Sequence, residues 1–172
     1  KASTLDTVER LGRVAARMGV YMHPIGLHEL ARLGDYDALF IRTLTGLSTR
    51  RLWDEELPRE IARARRSDSQ LSIAVIDIDH MHAFNMVRGE GEGDRLIKET
   101  AARWRAELRE VDNLARLEGT EFGVLLPGCA LGEAVDVLDR VRAATPRGQT
   151  ASAGVARWDG EEPAELLVVR CE

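Results

Sequence analysis

NLARLEGTEFGVLLPG, residues 113–128, decides the architecture. Two apolar runs, near 113–118 and 121–126, flank the tight turn Glu118-Gly119-Thr120, so the stretch predicts a β-hairpin. Upstream, LSIAVIDID (71–79) stays apolar and β-branched until it meets two aspartates, the pattern of a central strand. Between them, Gly89, Gly91 and Gly93 read as a loop ahead of a helix at roughly 92–109. Downstream, residues 131–144 predict an amphipathic helix with Leu131, Val135, Leu138 and Val141 on one face, and Thr150 to Trp158 predicts a last strand. The order β-α-β-β-α-β predicts an α+β fold, a split βαβ core with its helices on one face of an antiparallel-containing sheet.

Before this core, Leu44-Thr45-Gly46-Leu47 reads as a turn, and Ser48 or Thr49 caps a helix through about Arg66 that Pro58 should break or kink. Residues 4–18 carry Leu5, Val8, Leu11 and Ala15 at helical spacing, Val20 to Met22 reads as a short strand, and Gly26 to Leu33 begins another helix running towards Ile41. The chain opens on Lys1 and is read as a piece of a longer protein.

A hydrophobic fraction of 44% in 172 residues suits one packed domain plus a short extra segment. No run approaches the roughly 18 apolar residues of a membrane span, and no signal-peptide layout opens the chain. Cys129 and Cys171 lack metal-type spacing, which points to a reduced, cytoplasmic setting. A formal net charge of -5 argues against a general nucleic-acid binder, so a phosphate ligand must meet a local arginine cluster.

Several segments, in order over about residues 43–167, resemble GGDEF domains. Leu44 to Arg51 (LTGLSTRR) resembles their LTGLxNRR opening, and Asp77-Ile78-Asp79-His80 with Asn85 and Gly93-Asp94 resembles their DxDxFKxxND…GD block. Glu118-Gly119-Thr120-Glu121-Phe122 occupies the signature, and FGVLLPG (122–128) and Ala151 to Val155 continue the match. The resemblance implies a ferredoxin-like α/β sandwich of the nucleotidyl cyclase and polymerase-palm type. Active members join two GTP molecules into cyclic di-GMP with two divalent cations. By resemblance Asp77 and the third signature residue hold metal, while Asn85 and Asp94 bind guanine. Asp94 also reads as a cap for the helix after Gly93.

The departures point away from catalysis. Thr120 puts a neutral hydroxyl where a carboxylate is expected; disturbing even an outer partner of a metal costs about 10–100-fold. Glu118 replaces the first glycine, and a like charge ~4 Å from a phosphate costs about 4 kcal/mol at an effective dielectric of about 20, roughly a thousandfold in affinity. His82 stands for a phosphate-contacting lysine, Met86 for the aspartate after Asn85, and Arg42 for the aspartate before the LTGL turn. The family's closing helix, with its Lys and Arg phosphate ligands, is expected to be missing before Glu172. The expected state is therefore no catalysis and no required cofactor, with Asp77 a vestige and Mg²⁺ only where residual GTP binding survives.

What survives is Arg109-Glu110-Val111-Asp112, an RxxD separated from the signature by residues 113–117, the spacing of the family's product-inhibition site. The same pattern at Arg32–Asp35, Arg51–Asp54 and Arg65–Asp68 lacks that position. A guanidinium binds a guanine Hoogsteen edge or a phosphate through paired donors. The aspartate accepts from guanine N–H groups or orients the arginine; a merely solvated i,i+3 pair would contribute under about 1 kcal/mol. Cyclic di-GMP is expected as an intercalated dimer, with Arg140 contributed to a neighbouring domain's site and Arg116 a further candidate.

The expected function is a cyclic di-GMP receptor of a degenerate subgroup, and the rival is a synthase with product inhibition. Expected partners are the nucleotide and a recruited protein such as an adaptor in regulated proteolysis, with homodimerisation and recruitment to a cell pole, and no nucleic acid or membrane. Residues 1–42 resemble a receiver-domain end and linker, with His23 in place of its lysine, and residues 43–172 form the GGDEF-like domain. His23, His28, His80 and His82 lack ligand spacing, Trp53, Trp104 and Trp158 read as packing residues, and Arg63, Arg65 and Arg66 as a solvated helix end.

Overall fold

The computed structural model describes residues 45–171. The elements expected before Thr45, the boundary at 42/43, Arg42, His23, His28 and Arg32–Asp35 lie outside the described residues. After a turn at Gly46 come β1 (Ser48–Thr49), α1 (Arg50–Ser67) and β2 (Leu71–Ile78). Two successive helices, α2 (Met81–Arg88) and α3 (Glu90–Ala106), lead to β3 (Asn113–Glu118) and β4 (Glu121–Pro127). α4 (Leu131–Ala143), β5 (Ala151–Arg157) and α5 (Ala164–Val169) complete the order.

The five strands lie in the order β1-β3-β4-β2-β5, with β1 parallel to β3 and every other pairing antiparallel. From β2 onward this is the expected split βαβ arrangement. The helices, however, cover both faces rather than one. Side chains alternate along a strand, so Ala74, Ile76 and Ile78 of β2 meet α3 and α4, while Leu71, Ile73 and Val75 meet α1 and α5. A strand apolar at nearly every position must be covered twice, which is why LSIAVIDI carries no alternation.

α1 begins with Thr49 accepting a hydrogen bond from the Leu52 amide at 3.4 Å and ends on Asp68 in the left-handed region. It runs as one helix past Pro58, so of the expected break or kink the break does not occur. Pro58 is exposed, and an interior proline costs about 3 kcal/mol. Trp53, Leu57, Ile61 and Ala64 form a buried stripe opposite, at roughly 1.5–3 kcal/mol for each large chain. The stripe wins.

The glycine-rich stretch is also corrected. Only Gly89 (φ 85°) breaks the chain; α2 precedes it, unforeseen, and Gly91 and Gly93 lie within α3. Asp94 is accordingly inside the helix and does not cap it. Gly93 is there for packing, because a Cβ would come within 2.0 Å of Asn85 Oδ1. On α4 the buried stripe is Ala134, Leu138 and Val141, whereas Leu131 and Val135 are exposed, because the helix is rotated away from the expected face.

The signature hairpin is rooted on both sides of the sheet. Phe122 is fully buried and meets Trp104 edge-on, with centroids 5.1 Å apart. The next residue, Gly123, faces the other layer, where a Cβ would lie 2.7 Å from the Trp53 ring. The three tryptophans are packing residues, as expected, and Arg65 at the end of α1 lies 5.5 Å over Trp158.

Candidate functional site

At one end of the sheet, the last residues of β2 meet the signature hairpin, Asp77 pairing with Glu121. The turn is gripped from within: buried Arg116 donates Nε (2.8 Å) and Nη2 (2.6 Å) to the Gly119 carbonyl. Burial pushes the Arg116 pKa down, against the opposing pull of the Asp94 charge. Above this brace, the Thr120 hydroxyl donates to Asp77 Oδ1 at 2.5 Å, and the Ile78 amide bonds to the Thr120 carbonyl at 3.4 Å.

On the other side of β2, Asp79 accepts from Thr150 Oγ1 at 2.5 Å and from Ser152 Oγ at 2.8 Å, and its amide donates to the Thr150 carbonyl. The Thr150 hydroxyl, then that of Ser152, hold the Asp79 carboxyl below its usual range. Sequence reading assigned neither hydroxyl a role; their spacing of two along a strand beside the aspartates was the available signal. Among the described residues, no three His, Cys, Asp or Glu side chains gather as a metal would require. At the two positions expected to hold metal, Asp77 and Thr120, a carboxylate and a neutral hydroxyl already bonded to each other fit a hard divalent ion poorly.

Asn85 and Asp94, the expected guanine contacts, lie close to each other on α2 and α3. Asn85 Oδ1 is buried against Gly93 and takes no hydrogen bond among the described residues, and Asp94 is exposed in the early turns of α3, near enough to Arg116 to act on its charge. Glu118 stands exposed beside the turn, His82 and Met86 are exposed on α2, and His80 precedes α2 in the left-handed region.

The second cluster lies where α3 gives way to β3. The Asp112 carboxylate, its side chain 1% exposed, receives the Arg109 amide (2.9 Å), Nε (3.2 Å) and Nη2 (2.8 Å). The Asp112 amide returns a bond to the Arg109 carbonyl at 3.2 Å. The hydrogen bond from Arg109 to Asp112 raises the already high pKa of the guanidinium. This burial sets the pair apart from a solvated i,i+3 contact. Arg109 itself is 53% exposed and also reaches the Pro127 carbonyl through Nη2 at 3.4 Å. No partner of its Nη1 is found among the described residues.

Arg105, which sequence reading passed over, holds this turn from behind. It donates to the carbonyls of Arg109 (2.8 Å), Leu108 (3.5 Å) and Glu110 (3.5 Å). Arg140 on α4 leans on the same segment of its own domain, donating to the Glu107 carbonyl at 3.4 Å and lying 3.9 Å from its carboxylate. Arg116 is elsewhere: it lies four positions beyond Asp112, about 13 Å along the strand direction, and its guanidinium turns to Gly119.

The family described as "Diguanylate cyclase, GGDEF domain" matches residues 40–169. The chain belongs to the GGDEF family. Among curated relatives it is similar to Diguanylate cyclase DgcP of Pseudomonas aeruginosa, 37% identical over 139 residues, covering 75% of this chain and 21% of DgcP. It is also similar to Response regulator PleD of Caulobacter vibrioides, 34% identical over 99 residues, covering 58% of this chain and 22% of PleD. This chain thus spans about a fifth of the length of either relative.

Two solved GGDEF structures resemble it. Diguanylate cyclase SiaD in complex with its activator SiaC, from Pseudomonas aeruginosa, gives a TM-score of 0.71 at 31% identity, covering 96% of this chain and 65% of that one. The GGDEF domain of DgcB from Caulobacter crescentus in complex with c-di-GMP gives 0.68 at 28% identity, covering 72% and 78%. Among the described residues of this GGDEF chain, no helix is long and apolar enough to cross a membrane.

Proposed function

We propose that this GGDEF domain is a receptor for cyclic di-GMP, bound at Arg109, and that it does not synthesise the nucleotide. One observation carries the reading: Arg109 is half-exposed, oriented by a buried carboxylate, and has its Nη1 edge available. An arginine held in one posture loses little freedom when it meets a guanine edge or a phosphate. Arg140, beside Glu107, supplies a second cation to the same surface or to that of a neighbouring domain. Arg116, gripping Gly119, acts on the hairpin rather than on the ligand.

The synthetic end supports the same reading, since Thr120 satisfies Asp77 directly and Glu118 adds negative charge beside the turn. No cofactor is required, and Mg²⁺ enters only with residual GTP binding at Asn85 and Asp94. The c-di-GMP bound to DgcB and the activator bound to SiaD support a nucleotide ligand and a protein partner for this chain. In this reading the nucleotide-bound domain recruits or repositions a protein partner, such as an adaptor in regulated proteolysis.

Titration calorimetry with cyclic di-GMP tests it: wild type binds and Arg109→Ala loses at least ~30-fold in affinity, about 2 kcal/mol. Absence of heat with wild type sinks the receptor. The names of DgcP and its kin favour a second reading, a diguanylate cyclase. Product from GTP with Mg²⁺ or Mn²⁺, lost in Asp77→Ala, would establish that one.

A further inference from the structure

We infer that the Thr120–Asp77 hydrogen bond takes the place of the divalent ion as the tie between the end of β2 and the signature hairpin. A cation between two strands draws their carboxylates together, and without it like charges push the strands apart. Here Thr120 stands where the resemblance places the second metal-holding carboxylate, and its hydroxyl donates to Asp77 at 2.5 Å, within the range of charge-assisted O–H···O⁻ bonds. The hydroxyl is aimed by structure that owes nothing to an ion. Arg116 holds the Gly119 carbonyl one residue before it, and Phe122 is locked under Trp104 two residues after it.

Asp79 is tied to β5 on the opposite side by the same chemistry, through Thr150 and Ser152. Both aspartates at the end of β2 are therefore satisfied by neutral donors, and the hairpin keeps its shape without metal. This stands apart from the receptor reading, because it concerns stability in the absence of nucleotide.

Thermal unfolding of the full chain tests it, comparing wild type, Thr120→Val and Thr120→Ser in chelator and in millimolar Mg²⁺. Valine keeps the shape and removes the donor, so Tm should fall by about 3 °C. Serine keeps the donor and should keep the wild-type Tm, and Mg²⁺ should move none of the three. A Mg²⁺-dependent rise in the wild type overturns the inference. So does a valine variant as stable as wild type, or a serine variant that falls as far as valine.

Discussion

The carboxylate of Asp112, buried just before β3, orients the guanidinium of Arg109 through Nε and Nη2 and also takes the Arg109 amide. Removing it should weaken binding by a group that hardly meets solvent. Asp112→Ala should lower cyclic di-GMP affinity about tenfold to a hundredfold, given roughly 1.5–3 kcal/mol for a charge-assisted bond. Loss of the amide acceptor should reduce stability by about 1 kcal/mol. Calorimetric titration and urea unfolding read the two effects separately. Undiminished affinity would show that the posture of Arg109 does not matter.

Arg105 should behave as a positioning residue for the same turn. Arg105→Gln removes the donor to the Arg109 carbonyl, a bond of about 1 kcal/mol, so affinity should fall roughly fivefold. Amide exchange of residues 110–112 should quicken, since the turn loses its backing. Lysine, with one compact cation, should restore part of the affinity. An exchange pattern identical to wild type would count against this role.

Most of the fold was legible in the sequence because its signals were local. The hairpin at 113–127, the Thr49 cap and the strand at 71–78 each rest on neighbouring residues. Pro58 and the glycines of α3 misled because their outcome is decided by partners distant in sequence: the sheet beneath Trp53 and Leu57, and the Asn85 side chain against Gly93. The candidate site divides in the same way. The positions of Arg109, Asp112, Thr120 and Asp77 could be read, and a bond from Arg109 to Asp112 was among the readings, but the Thr120–Asp77 bond and the burial of Asp112 were not. Arg105 went unnoticed because its partners are backbone carbonyls, which leave no trace in side-chain identity.

Gly123 gives a packing test of that distinction. Gly123→Ala would set a methyl 2.7 Å from the Trp53 ring. Overpacking of this kind costs about 1–3 kcal/mol, so the urea midpoint should drop while the denaturant slope stays constant. An alanine variant of wild-type stability would mean that Trp53 moves aside freely.

Asp79 predicts a pH dependence. Its folded pKa lies below the ordinary 3.8, with the Thr150 hydroxyl the main cause. The sign follows: its contribution is fully present above 3.8 and fades as pH falls through the lower folded value. Asp79→Asn should therefore be less stable than wild type at neutral pH, and the gap should narrow as acid protonates Asp79. Urea midpoints of both proteins across the acidic range measure it; a gap that widens in acid contradicts the assignment.

Among the described residues β5 is an edge strand, paired on one side only, with β2. At Gly154 a Cβ would come within 1.7 Å of the Cys171 carbonyl, so the segment after α5 rests directly on bare backbone. A two-residue slip of β5 would preserve which side chains face inward and would otherwise pass unnoticed. It would carry the Cβ of Ser152 or Ala156 under that carbonyl, where only a hydrogen fits. Gly154 thus works as a register pin: the end of the described chain reads whether the edge strand has docked in its one correct alignment.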